Sequence, residues 1–158
     1  ILFEGDGGFA QNLQELGTVV ANDLNLKIFI TCNDGYASIR TSQMSYFQGH
    51  YLGCDTKTGL TLPNWGKIME AFGIPYMNVT SSSISSVEFT ELWESKHASA
   101  FLIQSDPNQT YLPKILSKVR PDGTMTSAAL HDMYPSLPEE IENLVFKFID
   151  KSTETMGS

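Results

Sequence analysis

Two apolar runs, each stopping abruptly at a polar or glycine-containing turn, frame this chain. Ile1-Leu2-Phe3 ends at Gly5-Asp6-Gly7, and Lys27-Ile28-Phe29-Ile30-Thr31-Cys32 ends at Asn33-Asp34-Gly35. Short apolar runs closed by turn residues read as buried strands. Between them Leu13, Leu16, Val19, Val20 and Leu24 recur at helical spacing, which predicts a helix over residues 12–24. A strand, a helix and a second strand in that order form a parallel unit, in which Asp6 and Asn33 emerge at the carboxyl ends of the strands. The two residues can therefore face one pocket.

The same rhythm continues downstream. Residues 38–47 suit a short helix, and residues 49–62 form a polar, glycine-rich connection that could move over a site. Trp65, Ile68, Met69 and Phe72 mark a helical face, residues 76–79 a strand, and Ser81-Ser82-Ser83 an N-capping region for a helix over 87–93. Residues 100–104 complete the set of buried strands, and Trp65 and Trp93 are expected in the core. From 106 to 138 the pattern breaks into turns at Pro107, Pro113, Pro121, Pro135 and Pro138. A last amphipathic helix then runs from Glu139 to about Lys151, with Ile141, Leu144, Val145, Phe148 and Ile149 on one side.

These elements predict an α/β fold, a doubly wound and mostly parallel sheet with helices on both faces. Residue 1 already lies inside a strand, so the sheet is expected to be incomplete at its amino end, as in a piece of a longer protein. The expected organisation is a domain over 1–106, an irregular tail with its final helix over 107–151, and a frayed or appended end over 152–158. Tyr111, Leu112, Ile115, Leu116, Met125, Leu130, Met133 and Tyr134 are too apolar for a tail free in water, so it should pack on a surface.

Composition narrows the function. The chain has 158 residues and 41% apolar content, enough for a core of its own, and no apolar run approaches the roughly 18 residues of a membrane span. Its net charge of −8 opposes nucleic acid binding, which needs clustered Lys and Arg. Cys32 and Cys54 have neither metal-ligand spacing nor the density of a disulfide framework, which points to a reducing cytoplasm. His50, His97 and His131 belong to no catalytic pattern, and nothing supports hydrolase chemistry.

The turn residues carry the chemistry. A hard divalent cation such as Mg²⁺ takes oxygen ligands, and the Asp6 carboxylate, the Asn33 amide and the Gly35 carbonyl supply three. Gly7 and Gly8 let the backbone approach a diphosphate, with the following helix aiming its free N–H groups at the anion.

Gly5-Asp6-Gly7 paired with Asn33-Asp34-Gly35-Tyr36 resembles the signature of the thiamine diphosphate-dependent enzymes, in their carboxyl-terminal cofactor domain, and the chain is similar to acetolactate synthases in particular. Asn12-Leu13-Gln14-Glu15-Leu16, the stretch from Pro63-Asn64-Trp65 to Ile74-Pro75, and Ala100 to Gln109 extend the resemblance over residues 1–115. It implies thiamine diphosphate and Mg²⁺ as cofactors, with Asp6, Asn33 and Gly35 on the metal. Gly5, Gly7 and Gly8 would sit at the diphosphate, and Tyr36, Ala37, Ser38 and Ile39 beside the reacting region. Decarboxylases of this superfamily place a glutamate where Ile39 stands, so an apolar residue favours carboligation.

The resemblance further implies a 2-keto acid substrate and a homodimer or homotetramer in which a neighbouring subunit's pyrimidine-binding domain completes the site. The glutamate that protonates the aminopyrimidine lies in that other domain, so no catalytic side chain is expected here and the piece alone should be inactive. The resemblance also leaves room for FAD elsewhere in the full protein. The readings in competition are an acetolactate synthase-like carboligase, a 2-keto acid decarboxylase or lyase of the same superfamily, and a non-catalytic cofactor-binding or regulatory subunit.

Overall fold

The computed structural model describes residues 1–129, 132–145 and 147. It comprises two compact units, Ile1–Gln109 and a second that begins at Thr110.

In the first unit, β1 (Leu2–Gly5), β2 (Lys27–Cys32), β3 (Tyr76–Val79) and β4 (Ser99–Gln104) form an all-parallel sheet in the order β1-β2-β4-β3. Alternation along the strands sends side chains to opposite faces. Ile28, Ile30, Ala100 and Leu102 pack against Leu16 and Val19 of α2 (Glu15–Ala21) and against Trp65 and Met69 of α4 (Trp65–Ala71). Phe29, Met77, Val79 and Phe101 face the other way, onto Phe89 and Leu92 of α5 (Val87–Glu94). Helices thus cover both faces, the doubly wound arrangement the sequence predicts. Phe29 stacks between Phe3 and Phe101, with ring centroids 4.5 and 4.6 Å away. This row fixes the register of three strands, because a shift by one residue would turn every ring to the opposite face.

Several expectations are corrected. The helix predicted over 12–24 is shorter, α2 ending at Ala21, and is preceded by a short α1 (Asp6–Phe9) and a 3₁₀ turn over Ala10–Asn12. Asp23 adopts a left-handed φ of 48° and donates to the Val20 carbonyl while Leu24 donates to that of Val19, a Schellman stop with aspartate where glycine is usual. Leu24 therefore lies beyond the helix. β1 pairs only with β2, so the first apolar run is an edge strand and leaves Ile1 and Phe3 exposed. Trp65 is in the core, but Trp93 is 41% exposed. The cap of α5 is Ser86, whose hydroxyl accepts from the Phe89 amide at 3.1 Å, while Ser83 folds back on Thr80 in a turn.

The second unit is not turns alone. β5 (Lys114–Ile115) pairs antiparallel with β8 (Met133–Tyr134), and β6 (Ser117–Val119) pairs with β7 (Met125–Ser127) inside that outer pair. Two or three residues per strand carry too little periodicity to read from sequence. Helix α6 spans Glu139–Val145. Leu130, His131, Phe148, Ile149, Lys151 and the end over 152–158 lie outside the described residues.

Candidate functional site

The carboxyl ends of β1 and β2 bring the two sequence motifs together. Asp6 follows the last residue of β1, is 2% exposed, and turns its carboxylate toward the loop after β2. Oδ1 accepts from the Gly7 amide at 2.7 Å, Oδ2 from the Asn33 amide at 3.0 Å, and the Gly35 amide reaches both oxygens at 3.2 and 3.3 Å. Burial raises the Asp6 pKa above the ordinary carboxylate value, and the N–H donors of Gly7, Gly35, Asn33 and Asp34 oppose that rise.

The Asn33 side chain supplies a further observation. Its amide oxygen faces only acceptors, the Gly35 carbonyl at 3.0 Å and Asp6 Oδ1 at 3.1 Å. Two arrangements satisfy this triangle: the amide turned so that its nitrogen donates to both, or a cation between three oxygens. Adjacent ligands of an octahedral Mg²⁺ ion, each about 2.0–2.1 Å from it, are about 2.9 Å apart, and the two edges that meet at Asn33, 3.0 and 3.1 Å, are close to that spacing. Among the described residues no group of three His, Cys, Asp or Glu side chains could hold a metal.

Backbone conformation aims the Gly35 carbonyl. Asp34 has a φ of 64° and Gly35 of +114°. A Cβ on Gly35 would come within 2.5 Å of the Cys54 carbonyl oxygen and 2.6 Å of a Leu60 methyl, so both conformation and space require glycine. The space beside Gly7 is filled differently from the sequence-based expectation. A Cβ there would meet the Tyr36 ring at 2.6 Å, and one on Gly8 would meet the Glu4 carboxylate. Close packing on the Tyr36 ring accounts for Gly7, whereas the Glu4 side chain beside Gly8 is exposed and can move aside. Gly5 has open space on its Cβ side. Ala37, Ser38 and Ile39 open α3 (Ala37–Tyr46), with Ile39 43% exposed.

Sequence reasoning missed Arg40 and Asp55, both 8% exposed and paired through Nη1 and Oδ2 at 3.4 Å. Asp55 lies in the connection read as a mobile loop, and nothing in its local pattern marks it as buried. The Thr58 hydroxyl first, and Arg40 with it, hold the Asp55 carboxyl below its ordinary value. A polar cavity of about 310 Å³, lined by Cys32, Asn64, Tyr76, Asn78 and Gln104 among others, opens beside the ends of β2, β3 and β4. The thiol of Cys32 is pushed up to about 11 by burial and by the Asp6 carboxylate, and is an inert wall at neutral pH. His97 pairs with Asp23 at 2.6 Å, but both sit at the amino ends of the strands, away from this site. No helix among the described residues is long and apolar enough to cross a membrane.

Residues 1–104 match the family model described as thiamine pyrophosphate enzyme, C-terminal TPP binding domain. The chain belongs to that family. Thiamine pyrophosphate is thiamine diphosphate by another name, so the cofactor class implied by the two motifs is that of the family. The chain is 33% identical over 82 residues to the acetolactate synthase large subunit of Cyanidium caldarium, covering 52% of this chain and 14% of that protein. It is 37% identical over 81 residues to the acetolactate synthase isozyme 2 large subunit of Escherichia coli strain K12, covering 51% and 14%. The match therefore spans about one seventh of the length of these relatives. Among solved structures, a thiamine diphosphate-dependent 4-hydroxybenzoylformate decarboxylase from Rhodococcus jostii RHA1 shares the fold, with a TM-score of 0.53 and 17% identity over 66% of this chain and 19% of that one.

Proposed function

We propose that this domain anchors the diphosphate of thiamine diphosphate through Mg²⁺ held by Asp6, Asn33 and the Gly35 carbonyl, within a longer enzyme that joins two 2-keto acid-derived units as acetolactate synthases do. The observation that supports the reading is the approach of the Asn33 side-chain amide to Asp6 Oδ1 and the Gly35 carbonyl, at 3.1 and 3.0 Å, at the carboxyl edge of a parallel sheet where such folds bind ligands. When bound, thiamine diphosphate supplies the chemistry that removes carbon dioxide from a 2-keto acid and passes the remainder to a second carbonyl.

The chain's own residues bind and orient. Asp6 brings the one formal charge among the three donors, and its four N–H contacts fix both carboxylate oxygens before any cation arrives. Asn33 and Gly35 add neutral oxygens, leaving positive charge on the cation for a diphosphate. Gly7 and Gly8 remain the proposed backbone approach to that group. Tyr36, Ala37, Ser38 and Ile39 border the reacting end, with Ile39 providing no acid for proton transfer. Catalytic side chains and the second wall of the site would come from a neighbouring subunit of a homodimer or homotetramer. Acetolactate formed from pyruvate by the cofactor-loaded enzyme containing this domain is the expected product, and acetaldehyde alone would point to simple decarboxylation.

Asp6 makes cation binding pH-dependent. Its folded-state pKa is raised, so the contribution of this group to stability is complete below the unfolded value and is lost as pH rises through the folded one. Mg²⁺ needs the ionised form and offsets that loss. The rise in thermal midpoint on adding Mg²⁺ should accordingly be larger near pH 8 than near about pH 5. An equal or smaller rise at the higher pH would contradict a carboxylate ligand.

A further inference from the structure

The cation loop does not hold its own shape. Gly35 takes its positive φ freely, but Asp34, at a φ of 64°, is a non-glycine residue in the left-handed region, where contacts from outside the loop help to hold it. Two elements do so. From α3, Arg40 Nη2 donates to the carbonyls of Asn33 at 2.8 Å and Pro107 at 3.0 Å, while Nη1 reaches the Asp34 carbonyl and Asp55 Oδ2, each at 3.4 Å. From the connection after α3, the Cys54 carbonyl accepts from the Tyr36 amide at 2.8 Å and the Thr56 hydroxyl donates to Asp34 Oδ1 at 2.8 Å. The grip closes on itself, since Asp55 accepts through Oδ1 from the amides of Lys57 and Thr58 and from the Thr58 hydroxyl.

We propose that Arg40, with the Cys54-Asp55-Thr56 segment, positions the Asn33-to-Tyr36 loop so that its Asn33 and Gly35 oxygens converge with Asp6. Cation affinity is thereby coupled to the seating of a segment that touches no cation ligand side chain. The inference rests on the cation reading above. Arg40 suits the task because one planar fork serves four acceptors on three segments, which a lysine ammonium on a flexible stem does not reproduce. Asp55, with Oδ2 at 3.4 Å from Nη1, offsets the guanidinium charge. Side chains that orient ligands in this way typically change metal affinity by about 10–100-fold when replaced.

The test measures Mn²⁺ affinity by the electron paramagnetic resonance of free Mn²⁺, with thiamine diphosphate present, in the parent protein and in Arg40→Lys, Asp55→Asn and Thr56→Val. Arg40→Lys should weaken binding by about tenfold or more, and Asp55→Asn and Thr56→Val by about threefold or more. Hydrogen exchange in cation-free protein should become faster at the Tyr36 amide in Asp55→Asn, with amides of β2 and β4 unchanged. A purely structural role would slow or speed exchange across the sheet without singling out this loop. Thr56 is exposed, so that variant threatens no core and decides the matter even where the buried variants do not fold. Parent-like Mn²⁺ affinity in the folded variants overturns the proposal. Asp6→Ala is the separate control, because unchanged affinity there removes the cation reading itself.

Discussion

Replacing Asp6 by Ala is expected to abolish Mg²⁺-dependent retention of thiamine diphosphate. The carboxylate is the only charged group among the three converging donors, and without it two neutral oxygens must hold a dication beside a diphosphate. The structure adds a consequence that the motif alone does not reveal. Asp6 also accepts from the amides of Gly7, Asn33 and Gly35, so its loss leaves buried donors unpaired at about 1–3 kcal/mol for each that water does not reach. Asp6→Ala should therefore unfold at lower denaturant while keeping the sheet, whose core of Ile28, Ile30, Phe101 and Leu102 it does not touch. Asp6→Asn preserves one acceptor oxygen and is the milder partner. Cofactor titration with parent affinity in both variants would overturn the assignment.

Gly35→Ala should be nearly as severe, for a different reason. A non-glycine residue forced to a φ of +114° is strained, and the new methyl would press on the Cys54 carbonyl and on Leu60 at 2.5 and 2.6 Å. Backbone strain and overpacking together amount to about 2–6 kcal/mol if the loop stays in place. The loop can relieve this only by moving away from Cys54, which carries the Gly35 carbonyl out of the triangle. Loss of Mg²⁺-dependent cofactor binding with a folded sheet in far-ultraviolet circular dichroism is the expected result. Parent-like binding would mean that the Gly35 carbonyl is not a ligand.

Much of this was legible in the chain itself, and the reasons differ from element to element. β2 and β4 are buried on both faces, so they stand out as unbroken apolar runs. The meeting of Asp6 with the Asn33 loop was legible because a strand, a helix and a parallel strand put both residues at neighbouring carboxyl ends. The end of α2 was not, since Asp23 takes a left-handed turn that sequence assigns to glycine or asparagine. Exposure of Phe3 and Trp93 was also hidden, because an aromatic side chain on an edge strand or at the rim of a helix face has the same local pattern as one at the centre. Arg40 and Asp55 were the largest omission. They are polar residues on a weakly amphipathic helix and in a polar loop, and only the fold brings them against the Asn33 carbonyl and each other. The tail strands failed for lack of length.

Anomalous scattering from crystals grown with Mn²⁺ and thiamine diphosphate would locate the cation itself. A single strong peak is expected within about 2.0–2.3 Å of Asp6 Oδ1, the Asn33 side-chain oxygen and the Gly35 carbonyl oxygen, with diphosphate oxygens completing the shell. A peak elsewhere, or an Asn33 amide nitrogen still turned toward Asp6 and Gly35 at saturating Mn²⁺, would contradict that assignment.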